Sequence, residues 1–479
     1  MLSPFSFRDP GGVLIPYEGR LLRLVSPEAA RSLRAFLTSP VWSSWVAARR
    51  LVPTRLLTAE EAERALGDER LRPLAEQLRP ELLLEHEPLE FPSYPYEWPP
   101  EMLHAAAELT LELVLELLPH GLGLKDGTPY NVLFRGPDPV FVDVLSVEQR
   151  DPTDPTWLAY AQFVRTFLLP LAAWREFGLP PGEVLLSRRD GLEPEELLGW
   201  LGWGRRLLPP WFSLVTMPVL LAARRRNDPS VYRPRRLGDP EKARFVLRAL
   251  FRGLRRTARK LEPPEGAQSE WSSYTETRRH YSAEQARIKE GFVESALSEF
   301  RPRSVLDVGA NVGHFSAMAA RARAFVVAID YDPVVVGRIW RMARAEGLPI
   351  LPLVVNLARP TPAVGWRNAE CPSFLDRARG RFDLVVMLAV IHHLIVTERI
   401  PLAEILDLAA ELTTELVLIE FVGPEDPMFQ RIVRGREHLH RGLSSTVFEC
   451  ACRAHFEIIR SQPLPGAHRT LYLLRKRPS

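Results

Sequence analysis

The chain predicts an α/β protein in which a doubly wound, seven-stranded, mostly parallel sheet occupies the C-terminal half and an α+β region precedes it. Three observations lead there. From residue 282 onward, apolar runs of strand length alternate with stretches of helical period, the pattern of strands joined by crossover helices. The first of these strands enters a glycine-containing turn: residues 305–316 read Val-Leu-Asp-Val-Gly-Ala-Asn-Val-Gly-His-Phe-Ser. The second ends in an acid, Asp330, 17 residues after Gly313, close to the spacing at which nucleotide-binding sheets present a carboxylate to a ribose.

The seven strands are expected at 304–308, 325–330, 350–355, 382–387, 415–421, 455–460 and 470–475. The last two are joined by a loop carrying Pro463 and Pro465 and are expected to form an antiparallel edge. In the N-terminal region, residues 12–25 read as a hairpin turning at Glu18 and Gly19. Ser26 then caps a helix with Pro27 in its first turn. Another strand is expected from Leu82 and a helix over 101–118, ended by the His-Gly-Leu-Gly run at 120–123. Two short strands, 132–134 and 140–144, flank a Gly-Pro-Asp-Pro turn, and 157–177 is helical. Pro263 and Pro264 mark a boundary. The expected organisation is residues 1–200, a basic helical connector over 201–267, and residues 268–479.

Composition bounds the partners. With 479 residues, 46% hydrophobic and 25% charged, the chain has the balance of a folded protein of two or three domains. Its three cysteines, Cys371, Cys450 and Cys452, are too few for a disulfide framework and lack metal-clip spacing, which fits a reducing, cytoplasmic setting. No secretory leader is recognised, and the longest apolar stretch, 211–223, contains Pro218 and falls short of the roughly 20 residues of a membrane span. No membrane partner is expected, and the oligomeric state is left open. The net charge of +3 hides an asymmetry: residues 204–260 hold fourteen arginines and two lysines against three acids, a local charge of +13. Such a segment either binds nucleic-acid phosphates or forms a solvated or interdomain face complementing the acidic remainder.

The turn after the first strand is where chemistry is concentrated. Glycines there tolerate positive φ and let backbone approach a ligand. A dinucleotide fingerprint would need glycine at 309, 311 and 314, and the chain has Asn311 and His314. The Asp307, Gly309, Asn311, Gly313 pattern instead resembles motif I of class I S-adenosylmethionine-dependent methyltransferases, with a Rossmann-like sheet, and the likeness extends over 285–479 toward nodulation-protein-like methyltransferases. The resemblance implies S-adenosylmethionine as cofactor, Asp307 near its amino-acid end, Asp330 on the ribose hydroxyls, and Asn356 where the family usually places an acid that binds the adenine amino group; Tyr331, next to Asp330, either packs on the adenine edge or belongs to the core.

The acceptor side is expected at the carboxyl end of the fourth strand, beside His392 and His393. Either histidine can take a proton from an oxygen or nitrogen nucleophile near neutral pH, or can simply shape the pocket. Glu420, at the end of the fifth strand, is placed to orient a histidine or bind substrate. These three are the candidate catalytic residues, and no metal cluster is seen in this half. Trp271, Tyr274, His280 and Tyr281 form a polar, aromatic stretch before the domain, which in related enzymes covers the active site.

A second signal lies upstream. Asp126, Asn131 five residues later and Asp143 after a short hairpin match kinase spacing, with Pro129 between them. This region resembles the large lobe of a protein-kinase or aminoglycoside-phosphotransferase fold in degenerate form. The resemblance implies ATP and magnesium at these three residues. Against it, Leu124 and Lys125 precede Asp126, Val144 and Leu145 follow Asp143, no glycine-rich loop is present, and only Arg20 or Arg23 stands in for the usual lysine. A structural turn accounts for the same three residues.

Three functions follow as expectations. The first is methyl transfer to an oxygen or nitrogen of a small molecule or biosynthetic intermediate. The second is an RNA or protein methyltransferase docking through 204–260. The third is a bifunctional or non-catalytic nucleotide-binding protein.

Overall fold

The computed structural model describes residues 8–225, 236–269 and 281–478. They fall into two compact units, Met1–Pro264 with Ala369–Cys371, and Glu265–Asn368 with Pro372–Ser479.

The first unit opens on a four-stranded antiparallel sheet of β1 (Gly12–Tyr17), β2 (Arg20–Val25), β3 (Thr54–Leu56) and β4 (Leu82–His86), in the order β1-β2-β4-β3. Glu18 and Gly19 both take positive φ, 51° and 73°, the hand of turn that matches hairpin twist. One face of the sheet is apolar: Ile15, Leu22, Leu24 and Leu83 are buried in a cluster with Leu57 and Leu71. Ser26 accepts from the backbone of Ala29 and opens the helix Pro27–Leu37. The helix Pro100–Leu117 is enclosed on most of its surface, as its long apolar run requires. Beside it lie two small ladders, β5 (Leu122–Leu124) with β8 (Val147–Gln149), and β6 (Val132–Arg135) with β7 (Asp138–Phe141). β7 starts and stops earlier than the sequence suggests, because the turn Val144–Ser146 takes over after Asp143.

The helix Pro240–Lys260 belongs to this first unit. It buries Ala243, Leu247, Phe251, Leu254 and Ala258 at helical spacing. It lies against Pro100–Leu117, where Arg255 donates to Glu108 at 2.9 Å and pairs with Glu112. Within a segment expected to be a basic connector, this part is therefore a packed helix with its remaining arginines on the outer face.

The second unit is one sheet of seven strands: β9 (Ser304–Val308), β10 (Phe325–Asp330), β11 (Ile350–Val354), β12 (Phe382–Met387), β13 (Thr413–Val422), β14 (Phe456–Pro463) and β15 (Arg469–Lys476). The order is β11-β10-β9-β12-β13-β15-β14. The first five are parallel to one another and β15 runs antiparallel between β13 and β14. The parallel strands carry near-continuous apolar runs because both faces are covered by helices. Edge strand β14 places Glu457, Ser461 and Pro463 on the surface, which blunts further pairing. The strand order reverses between β9 and β12, the place where a doubly wound sheet opens a crevice at its carboxyl end.

Candidate cofactor and active site

At that reversal the turn after β9 is built by its own backbone. The Gly309 and Ala310 amides both donate to the carbonyl of Ile329, at 2.9 and 3.0 Å, and the Gly313 amide donates to that of Ala310. Gly309, Asn311 and Gly313 have φ of 67°, 51° and 81°, so the turn needs residues that tolerate the left-handed region. At Gly309 a Cβ would stand 2.6 Å from Cγ2 of Val390. Gly313 then enters the helix His314–Arg321.

Two carboxylates flank the turn. Asp307, buried on β9, accepts from the Ser316 hydroxyl at 2.5 Å. Asp330, ending β10, accepts from the Asn311 amide at 3.0 Å and the Asp332 amide at 3.1 Å. Burial raises Asp307 and Asp330 each to about 6 from an ordinary 3.8, against the pull of these hydrogen bonds. Tyr331 is about half exposed. After β11, Asn356 Oδ1 accepts from the Ala358 amide at 2.9 Å, leaving a second lone pair on that oxygen.

These groups converge on one cavity of about 1280 Å³, whose wall includes Asp307, Gly309, Asn311, Asp330, Tyr331 and Asn356. Its residues fit a nucleoside carrying an amino acid: carboxylates at two points, a glycine turn against which a ligand can lie closely, and an amide oxygen beyond.

The histidines separate. His393 lines the cavity, whereas His392 is 2% exposed, lies outside the lining and has a buried Nδ1 with no hydrogen-bond partner among the described residues. Their ring centroids are 4.2 Å apart. Burial first, then the charge of His393, lowers His392 to about 3; burial and the Arg469 charge lower His393 below the usual histidine value.

Glu420 is completely buried, with its carboxylate engaged. It accepts from Lys289 Nζ at 2.7 Å, from the Tyr281 hydroxyl at 2.7 Å and from Arg469 Nη1 at 3.4 Å. Arg469 also holds Asp426 through two hydrogen bonds of 2.7 and 3.0 Å and donates to the Tyr281 hydroxyl. Burial pushes Glu420 upward, and the Lys289 and Arg469 charges outweigh it, so the group lies below its ordinary value. Tyr281 and Lys289 both reach the cavity wall. Sequence reasoning named Tyr281 and Glu420 but not Lys289, Asp426 or Arg469. The available signal was Lys289 itself, a charge on the stripe of the helix Ala283–Phe300 that otherwise buries Gln285, Phe292, Val293 and Ala296. Trp271, Tyr274 and His280 lie outside the described residues.

In the first unit, Asp126 and Asn131 meet at Ser146: the Asp126 amide and Asn131 Nδ2 donate to its hydroxyl at 3.3 and 3.4 Å. Burial raises Asp126, assisted by the nearby charges of Asp143 and Asp9 and opposed by that of Lys125. Asp143 is paired with Arg23 of β2 at 3.0 Å, and Arg23 Nε donates to His86 at 3.1 Å. The two acids and the amide thus sit in one neighbourhood, with Asp143 facing a cation. Among the described residues no group of three His, Cys, Asp or Glu side chains is arranged to hold a metal ion.

Residues 274–433 match a family model described as a methyltransferase domain. Over 473 residues the chain is 30% identical to the nodulation protein NoeA of Rhizobium meliloti (strain 1021), covering 98% of this chain and 94% of that protein. Among solved structures, WbdD aligns over 40% of this chain and 39% of its own at 21% identity with a TM-score of 0.29. The N-methyltransferase NodS from Bradyrhizobium japonicum WM9 aligns over 41% and 99% at 15% identity with a TM-score of 0.31.

Proposed function

Because this chain belongs to the family of the nodulation protein NoeA and carries an S-adenosylmethionine-dependent methyltransferase domain, we propose that residues 268–479 transfer a methyl group to an oxygen or nitrogen of a small-molecule acceptor or biosynthetic intermediate. One observation carries the assignment of the cofactor residues: Asp307, the 309–313 turn and Asp330 come from adjacent strands and open on one cavity beyond their carboxyl ends. In this reading Asp330 accepts from the ribose hydroxyls, Asp307 lies toward the cofactor ammonium, and Tyr331 and Asn356 border the adenine. Bound S-adenosylmethionine supplies an electrophilic methyl on a sulfonium. The protein supplies alignment and a dry site. Of the two histidines, His393 faces the cavity, and burial and the Arg469 charge favour its neutral form, so it is the one assigned to remove the acceptor's proton. Glu420, bound by two cations and a phenol, is assigned to hold Tyr281 in the wall.

The test is release of S-adenosylhomocysteine when hydroxyl- and amine-bearing acceptors are added to protein and S-adenosylmethionine. Acceptor-dependent release that Asp330→Ala abolishes supports the reading. Release that Asp330→Ala leaves unchanged contradicts the assignment of this residue.

A further inference from the structure

Eighteen large apolar side chains stand exposed among the described residues, and eight of them fall within 200–221. The most open are Trp203 at 83%, Leu207 at 68% and Leu220 at 57%, with Trp200, Leu208 and Phe212 beside them in sequence. This segment is folded: Trp211, Leu214 and Val215 are buried, and Thr216 donates to the carbonyl of Arg206 at 2.7 Å. One set of its apolar groups anchors it and another faces outward. A concentration of this kind on a folded surface marks a contact site rather than ordinary apolar scatter.

Charge identifies the occupant. From Leu197 to Asn227 the sequence has no acidic residue and five arginines, of which Arg205 and Arg206 lie in the described part of the surface, Arg205 paired with Glu176 at 3.1 Å. The Arg206 guanidinium lies over the Trp203 ring at 5.0 Å, so one pair presents an apolar plate and a cation together. Tryptophan and arginine are the side chains that settle at the boundary of lipid headgroups and acyl chains. No helix among the described residues is long and apolar enough to cross a membrane, so such a surface would lie on a bilayer rather than through it. A second copy docked through the same patch would bring two arginine-rich, acid-free stretches together, which like-charge repulsion opposes. Nucleic acid would answer the arginines and leave Leu207, Leu208 and Leu220 uncovered.

We propose that residues 200–221 dock this protein onto the surface of an anionic lipid bilayer, with Trp203, Leu207 and Leu220 entering the interface and Arg206, stacked on Trp203, meeting lipid phosphates. The test is sedimentation of the full chain with vesicles of phosphatidylcholine, alone or mixed with phosphatidylglycerol. The wild type is expected to pellet with the mixed vesicles, far less with phosphatidylcholine alone, and less as salt is raised. The variant Trp203→Ser/Leu207→Ser/Leu220→Ser should lose binding by about tenfold or more while keeping its thermal unfolding midpoint, because each side chain is already solvent-facing. Leu207→Ser alone is the milder companion and should lose binding several-fold. Absence of wild-type binding to the mixed vesicles would overturn the proposal, and so would equal binding by the variants. A dimer in light scattering that the triple variant dissociates, or RNA binding in place of vesicle binding, would overturn it equally.

Discussion

The backbone amide of Asn311 donates to Oδ2 of Asp330 at 3.0 Å, tying the turn that ends β9 to the carboxylate that ends β10. Asn311 holds φ at 51° to do so. The carboxylate is thereby held in the cavity wall while most of it is withdrawn from water, and burial raises it to about 6.

That elevation predicts a pH dependence. A ligand that donates hydroxyls to Asp330 or an ammonium to Asp307 favours the ionised acids, so binding expels the protons they hold. Affinity for S-adenosylmethionine should therefore fall as pH drops through about 6, where both groups protonate in the free protein. Calorimetry in two buffers of different ionisation enthalpy should show proton release near that pH. For the unliganded fold the sign is opposite. An acid raised in the folded state binds more protons folded than unfolded between 3.8 and about 6, so these two groups stabilise on acidification across that window.

Gly309→Ala tests the turn. Its Cβ would meet Val390 at 2.6 Å on top of the positive-φ strain, whereas at Gly347, with φ of 63°, a Cβ would meet nothing within 4 Å. Gly347→Ala should cost about 1 kcal/mol in urea unfolding. Gly309→Ala should cost about 2–3 kcal/mol and weaken cofactor binding as well. Equal losses would show that the Val390 contact is relieved without cost.

Glu420→Ala leaves Lys289 and Arg469 buried, with Asp426 the remaining carboxylate of the group. Removing one member of such a network costs about 3–5 kcal/mol, so urea unfolding should register a large loss. A Glu420→Ala protein of wild-type stability that fails only in turnover would reassign Glu420 to the chemistry.

His393→Ala should lower kcat by about 10²-fold or more, the usual scale of a general base, with cofactor affinity little changed. Because His393 lies below the ordinary histidine value, kcat/KM should stay flat through neutral pH and fall only on the acid side of the usual histidine range. His392→Ala, at a buried site outside the cavity lining, should show chiefly in stability. Interchanged effects would exchange the roles of the two rings.

What the sequence revealed was local. The turn from Asp307 to Gly313, the acid at Asp330 and the alternation of strands and helices each lie within a short window, so spacing and period expose them. The partners of Glu420 do not: Lys289 is 131 residues away on a helix, and no periodicity links the two. Arg23 and Asp143, 120 residues apart, pair for the same reason unseen. The stretch around residues 200–221 read as part of a basic connector, and the expectation of no membrane partner came from the lack of a spanning run. Which leucines and tryptophans face outward depends on how the segment folds, and composition cannot supply that.

Whether Asp330 belongs to an S-adenosylmethionine site is decided by calorimetric titration of that cofactor into the wild type and Asp330→Ala. The wild type should show saturable one-site binding and the variant a loss of about tenfold or more, since a charged partner of two hydroxyls is removed. Undiminished binding by a folded Asp330→Ala protein, or none by the folded wild type, would contradict that assignment.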